Sequence, residues 1–115
     1  MVYFILLLIL YFPIALQAQE DQVFIIGAGQ ASCGKWIESK NTHSLRHQGK
    51  EWVLGFISGY NWGKDEKQVM PTDGPAVIAF IDRYCKNNPL KPILYGAMEL
   101  VQELYSNKST QSRRK

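Results

Sequence analysis

The first eighteen residues decide where the rest of the chain has to fold. Val2 to Phe12 is an almost unbroken apolar run, VYFILLLILYF, followed by Pro13 and then by Ala15-Leu16-Gln17-Ala18. Glu20 and Asp21 come immediately afterwards. An apolar stretch of about a dozen residues ending at a small residue has the pattern of a cleaved secretory leader, and it is short for a relaxed membrane span. No Lys or Arg precedes the run, and Leu16 stands where a small residue is usual. An uncleaved N-terminal anchor is the competing reading. The expectation is a signal peptide over Met1–Ala18, export, and a mature chain from Gln19 to Lys115. Such a chain makes one small domain with little stability to spare.

Two cysteines remain, Cys33 and Cys85. In an oxidising compartment an even pair is expected to form one disulfide. A loop of that length is worth roughly 4 kcal/mol on the chain-entropy estimate, against a total stability of about 5–10 kcal/mol for a small domain.

The formal charge of +3 is unevenly placed. Lys108, Arg113, Arg114 and Lys115 supply four cations in a segment of Ser, Asn, Thr and Gln with nothing to bury, so residues 107–115 read as a disordered basic tail. The body has no basic stripe along the sequence, and a nucleic-acid partner is not expected.

Hydrophobic spacing predicts an all-α fold with four helices over residues 32–106, preceded by an extended arm over 19–31 that contains Val23-Phe24-Ile25-Ile26. Ser32 caps a first helix running to about Lys40. Asn41 to Gly49 is polar and reads as a loop. A second helix covers Lys50 to Trp62, with Trp52, Phe56 and Tyr60 spaced four apart and Gly55 and Gly59 on an adjoining line. Glycines four apart let another backbone approach, and each lowers helix stability by about 1 kcal/mol relative to Ala. Asp73 and Pro75 open a third helix, ended by Asn87-Asn88-Pro89. Pro92 opens a fourth, with Ile93, Leu94, Ala97, Leu100, Val101 and Leu104 at helical spacing and fraying near Ser106.

Several patterns resemble chemistry and fall short of it. Gly29 to Trp36 has the glycine, four spacers and Gly-Lys order of a phosphate loop, but Trp36 stands where a magnesium-binding hydroxyl belongs. His43, His47 and Glu51 would converge as metal ligands only on a continuous helix, which Gly49 and the polar composition argue against. They read as solvated loop residues. A nucleophilic Cys33 or Cys85 would need a free thiolate beside a histidine, and Ser58 lacks a nucleophile-elbow context. The chain therefore reads as a non-enzyme with no metal and no cofactor. The aromatic cluster Trp52, Phe56, Tyr60 and Trp62 remains as a candidate partner-binding surface, with core packing as the alternative. Trp62, beyond the stripe and beside Gly63, is its expected exposed member.

Three blocks carry a resemblance: Ser32-Cys33-Gly34-Lys35-Trp36-Ile37-Glu38, Trp52 to Asn61, and Ala76 to Cys85 closed by Asn88-Pro89-Leu90, with the helix through Ala97 to Leu104 after them. Together they resemble small periplasmic helical proteins of the HdeA/HdeB kind. The stretch from Ile81 to Leu104 is also similar to the C-terminal helices of immunity proteins that guard against type VI secretion amidases, of the Rap/Tai kind. The first resemblance implies a four-helix domain bridged through Cys33 and Cys85 that acts as an acid-activated, ATP-independent chaperone in a Gram-negative periplasm. The second implies a rigid plug for one secreted toxin. An accessory of an envelope secretion or conjugation apparatus is a third expectation. All three imply a protein partner (unfolding clients, a toxin, or a second copy of the chain) and contact with a membrane only through an uncleaved leader.

Overall fold

The structure is a computed structural model and describes residues 23–114. The expected signal peptide and cleavage point, the first residues of the arm and Lys115 lie outside the described residues. Four helices follow the arm: α1 over Cys33–Glu38, α2 over His43–Trp62, α3 over Gly74–Asn87 and α4 over Ile93–Arg113. Short 3-10 turns occupy Ala28–Gln30 and Ser39–Asn41. The domain is all-α, and among the described residues no helix is long and apolar enough to cross a membrane.

Local chemistry sets most boundaries. The Ser32 hydroxyl accepts the Lys35 N–H, and an Asp73 carboxylate oxygen accepts that of Ala76 at 2.9 Å, so both helices start at side-chain caps. Pro75 occupies the first turn of α3, where its missing N–H has no helical partner to lose. Pro92 immediately precedes α4.

Two expected boundaries are wrong. α2 begins at His43 rather than Lys50, so the polar segment expected as a loop supplies its first two turns. α4 runs on to Arg113, so the segment expected to be a disordered tail is helical, and Lys108 Nζ donates to the Gln68 carbonyl at 2.7 Å.

The core is a single cluster around Trp36, Val53, Val77, Ile81, Ala97 and Leu100. Cys33 and Cys85 are both fully buried within it and form the disulfide, with Cα atoms 4.8 Å apart and a separation of 52 positions in sequence. The same locus is tied by main chain. Cys33 N donates to Lys91 O at 2.8 Å, Gly34 N to Pro89 O at 2.9 Å, and Ile93 N to Ala31 O at 2.9 Å. The starts of α1 and α4 therefore lie side by side, and the disulfide fixes both against the end of α3.

Trp36 supplies the polar counterpart. Its ring is buried against Gly49, where a Cβ would meet ring carbon at 2.7 Å, and its Nε1–H donates to Asp82 Oδ1 at 2.8 Å. Arg46 forms an ion pair with the same carboxylate and lies 4.6 Å above the Trp36 ring. This contact explains the early start of α2. Gly49 and Arg46 look like loop residues, yet they are where the first turns of the helix meet the core.

Cys33→Ser should lower the thermal midpoint by more than ten degrees, since about 4 kcal/mol of loop-closure stabilisation is a large share of the total for a domain this size. Thermal unfolding followed by circular dichroism checks this, and a shift of one or two degrees would show that the bridge is not what holds the fold.

Candidate functional site

The four aromatic residues singled out from the sequence do not share one environment. Trp52 is half-buried and holds the arm. Its Nε1–H donates to the Ile26 carbonyl at 2.8 Å, and its ring lies so close over Gly29 that a Cβ there would sit 2.2 Å from ring carbons. Gly27, with φ of +88°, turns the chain into the 3-10 segment, a conformation that L side chains rarely adopt. The Gln30 side-chain amide donates to Ile25 O from the other side. The arm is thus fastened through its backbone, while Phe24 and Ile26 are 85% exposed.

Phe56 stacks on Trp52 with ring centroids 5.4 Å apart. Phe56 and Tyr60 then pack against α4, where Met98, Val101 and Gln102 complete a groove of about 170 Å3. Met98 is exposed on α4, as are Tyr95, three residues before it, and Tyr105, seven after it. Trp52 thus joins the arm to Phe56, and Phe56 joins this apolar strip to the groove on α4. Trp62 stands away from it at the end of α2 and is 93% exposed. Core packing accounts for part of Trp52, Phe56 and Tyr60, and the remainder of each ring lines this strip.

The glycine line of α2 does not act as expected. A Cβ at Gly55 or Gly59 would meet nothing within 4 Å, so no described element approaches the helix there. Both residues face open space and weaken the helix without serving the packing of this domain.

His43, His47 and Glu51 do stand on a continuous helix, contrary to the loop reading. The two imidazoles are stacked with centroids 6.5 Å apart. Glu51 has turned to Lys50, whose ammonium is 2.9 Å away; that hydrogen bond and charge hold its carboxyl below the usual carboxylate range. Among the described residues no group of three or more His, Cys, Asp or Glu is placed to hold a metal. The phosphate-loop lookalike is divided between a 3-10 turn and the start of α1, with Cys33 in the disulfide. The Ser58 hydroxyl donates to Leu54 O at 3.0 Å.

Sequence reasoning missed the Trp36–Asp82–Arg46 group, because the three residues come from three segments and no local pattern links them. It also missed Asn61, whose amide brackets the buried Val69, accepting its N–H at 2.8 Å and donating to its carbonyl at 3.3 Å. That pair closes the loop between α2 and α3. Burial pushes the Tyr84 phenol up, with the Glu99 charge adding to the shift, so folding favours its protonated form.

Comparison of the chain with family models, curated proteins and solved structures finds no match.

Two glycine substitutions separate the strip from the open face. Gly29→Ala should displace the Trp52 ring, destabilise the domain by about 1–3 kcal/mol and raise amide hydrogen exchange at residues 23–26. Gly55→Ala should instead stabilise by about 0.5–1 kcal/mol and leave arm exchange unchanged. Equal exchange at the arm in both variants would mean that Trp52 does not hold it.

Proposed function

We propose that this chain is an exported, non-enzymatic binding protein that holds other polypeptides, in the manner of an acid-stress periplasmic chaperone of the HdeA/HdeB kind. The single observation behind this reading is the exposed apolar strip: Phe24 and Ile26 on the arm, Trp52 and Phe56 on α2, and Met98 on α4. Apolar surface rimmed by polar residues marks a place where another chain is bound. The helices beneath it are stapled by a disulfide, which belongs in an oxidising compartment.

Acid supplies the activation. At pH 2–3, below the reference carboxylate values near 4, the ten acidic side chains lose their charge while thirteen Lys and Arg keep theirs. Self-repulsion then loosens the compact state. The Arg46–Asp82 pair and the Trp36–Asp82 hydrogen bond are polar ties between α1, α2 and α3 that rest on a carboxylate. The Lys50–Glu51 pair acts in the same direction. A carboxyl held below its ordinary value stabilises the fold above that value, and this contribution disappears as pH falls through the lowered one. The disulfide limits how far the helices separate, so the strip widens without the chain dispersing.

Trp62 favours a second reading. A nearly fully exposed Trp at the end of a 20-residue helix is an efficient anchor for one folded partner, as an immunity protein against a secreted toxin would need.

One experiment divides them. Mature protein is mixed with a periplasmic extract, the pH is lowered to about 2–3, below the carboxylate values, and light scattering is followed. Strong suppression of aggregation in acid and little at neutral pH is expected, and Phe24→Ser with Met98→Ser should remove most of it. No suppression, with a single species retained at neutral pH by wild type and lost with Trp62→Ala, would move the function to a specific folded partner.

A further inference from the structure

The other flank of α2 carries a feature that the proposed function leaves unused. Lys40 and Asn41 of the 3-10 turn, with His43, Arg46, His47 and Lys50 of α2, line an open hollow of about 300 Å3 whose one apolar side chain is Ile78 of α3. Lys40 also borders a neighbouring hollow of about 560 Å3, together with Asp82, Arg83 and Lys86 of α3. Five cations and two histidines from three elements therefore meet on one corner of a domain whose sequence shows no basic run.

Not all of that charge is free. Arg46 is neutralised by Asp82 and Lys50 by Glu51, and these are the only two ion pairs among the described residues. Lys40, Arg83 and Lys86 are left with no carboxylate paired to them. Arg83 is drawn aside over the Phe80 ring, 5.0 Å from its centroid. Gathering like charges opposes the folded state and does nothing for the packing of this domain.

The kinds of donor narrow the ligand. The Arg46 fork, which would pair most naturally with a planar carboxylate, is already turned to Asp82 and to the Trp36 carbonyl. The Lys40 ammonium, the imidazole nitrogens and the Asn41 amide remain around the hollow. These are point donors rather than a planar fork, and they match a compact tetrahedral oxyanion. We infer that the corner formed by Lys40, Asn41, His43 and His47 is a binding site for a phosphate-bearing anion of about diphosphate size, supplied either free or as the headgroup of an anionic lipid. This site is independent of polypeptide binding at the apolar strip and stands or falls without it.

The test uses the full mature chain with pyrophosphate as the probe, followed by amide chemical shifts. Saturable shifts confined to residues 40–50 and 78–86 are expected, weakening as salt is raised. Lys40→Glu should weaken binding about tenfold or more, as the loss of a charged hydrogen bond implies. Lys67→Glu, which makes the same charge change on an exposed loop, should leave it within about twofold, below the scale of one such bond. Thermal unfolding of both variants separates a lost site from a lost fold. Cosedimentation with phosphatidylglycerol vesicles, with phosphatidylcholine as reference, distinguishes the sources. Retention displaced by pyrophosphate assigns a headgroup, and pyrophosphate binding without retention assigns a free anion. Shifts that do not saturate by about 10 mM, or equal losses in the two variants, would overturn the site and leave only a diffuse positive field.

Discussion

Everything in this fold hangs from the point where Cys33 meets Cys85. The two residues are far apart in sequence and fully buried, and their bond joins the first turn of α1 to the last turn of α3. Three main-chain hydrogen bonds at the same place join the start of α1 to the segment leading into α4. Helices this short are not stable by propensity, and a six-residue α1 would not persist alone. It exists because both of its neighbours are fixed within a few residues of its first turn. Once α1 is held there, Trp36 is carried one turn further into the core, and its indole becomes the surface on which α2 and α3 are aligned.

That alignment is partly polar, and the polarity matters for how the domain responds to acid. A purely apolar contact between α1, α2 and α3 would be insensitive to pH. Here one carboxylate, Asp82, accepts from Trp36 and pairs with Arg46, while the Arg46 guanidinium covers the Trp36 ring. Removing the anion leaves a half-buried cation and an indole N–H without their acceptor, and each carries a desolvation cost that packing does not offset. The disulfide and this ion pair brace the same helices by different physics: the covalent bond is indifferent to protons, whereas the ion pair depends on them.

The division between what the sequence shows and what it hides follows the same line. Helix starts with side-chain caps or proline were legible: Ser32 for α1, Asp73 and Pro75 for α3, Pro92 for α4. The apolar periodicity of α3 and α4 was legible too, as was the cysteine pair. The first turns of α2 were not. They have no apolar repeat, and what they bury is a glycine surface at Gly49 and an arginine at Arg46. The end of α4 was hidden for a related reason, since past Leu104 it is polar and its tie to the body is a lysine on a loop carbonyl. At the candidate sites, the aromatic repeat gave Trp52, Phe56 and Tyr60 but not the arm that Trp52 holds. The cationic corner was invisible because Lys40 meets His43, His47 and Lys50 in one hollow, and Lys86 in the next, only through tertiary structure.

The geometry of α2 explains why two unlike surfaces can coexist on so small a domain. Its core contacts run along a narrow line through Gly49, Val53 and Ile57, all buried. On one side of that line Trp52 and Phe56 face the arm and α4, and on the other His43, His47 and Lys50 face the 3-10 turn and α3. An element that buries only a stripe leaves both shoulders to be set by its neighbours, one apolar and one cationic here. The shoulders share no side chain, so a change that reshapes the arm has no direct path to the cations. They are joined only through the core line, and therefore through the disulfide and the Asp82 pair that position it.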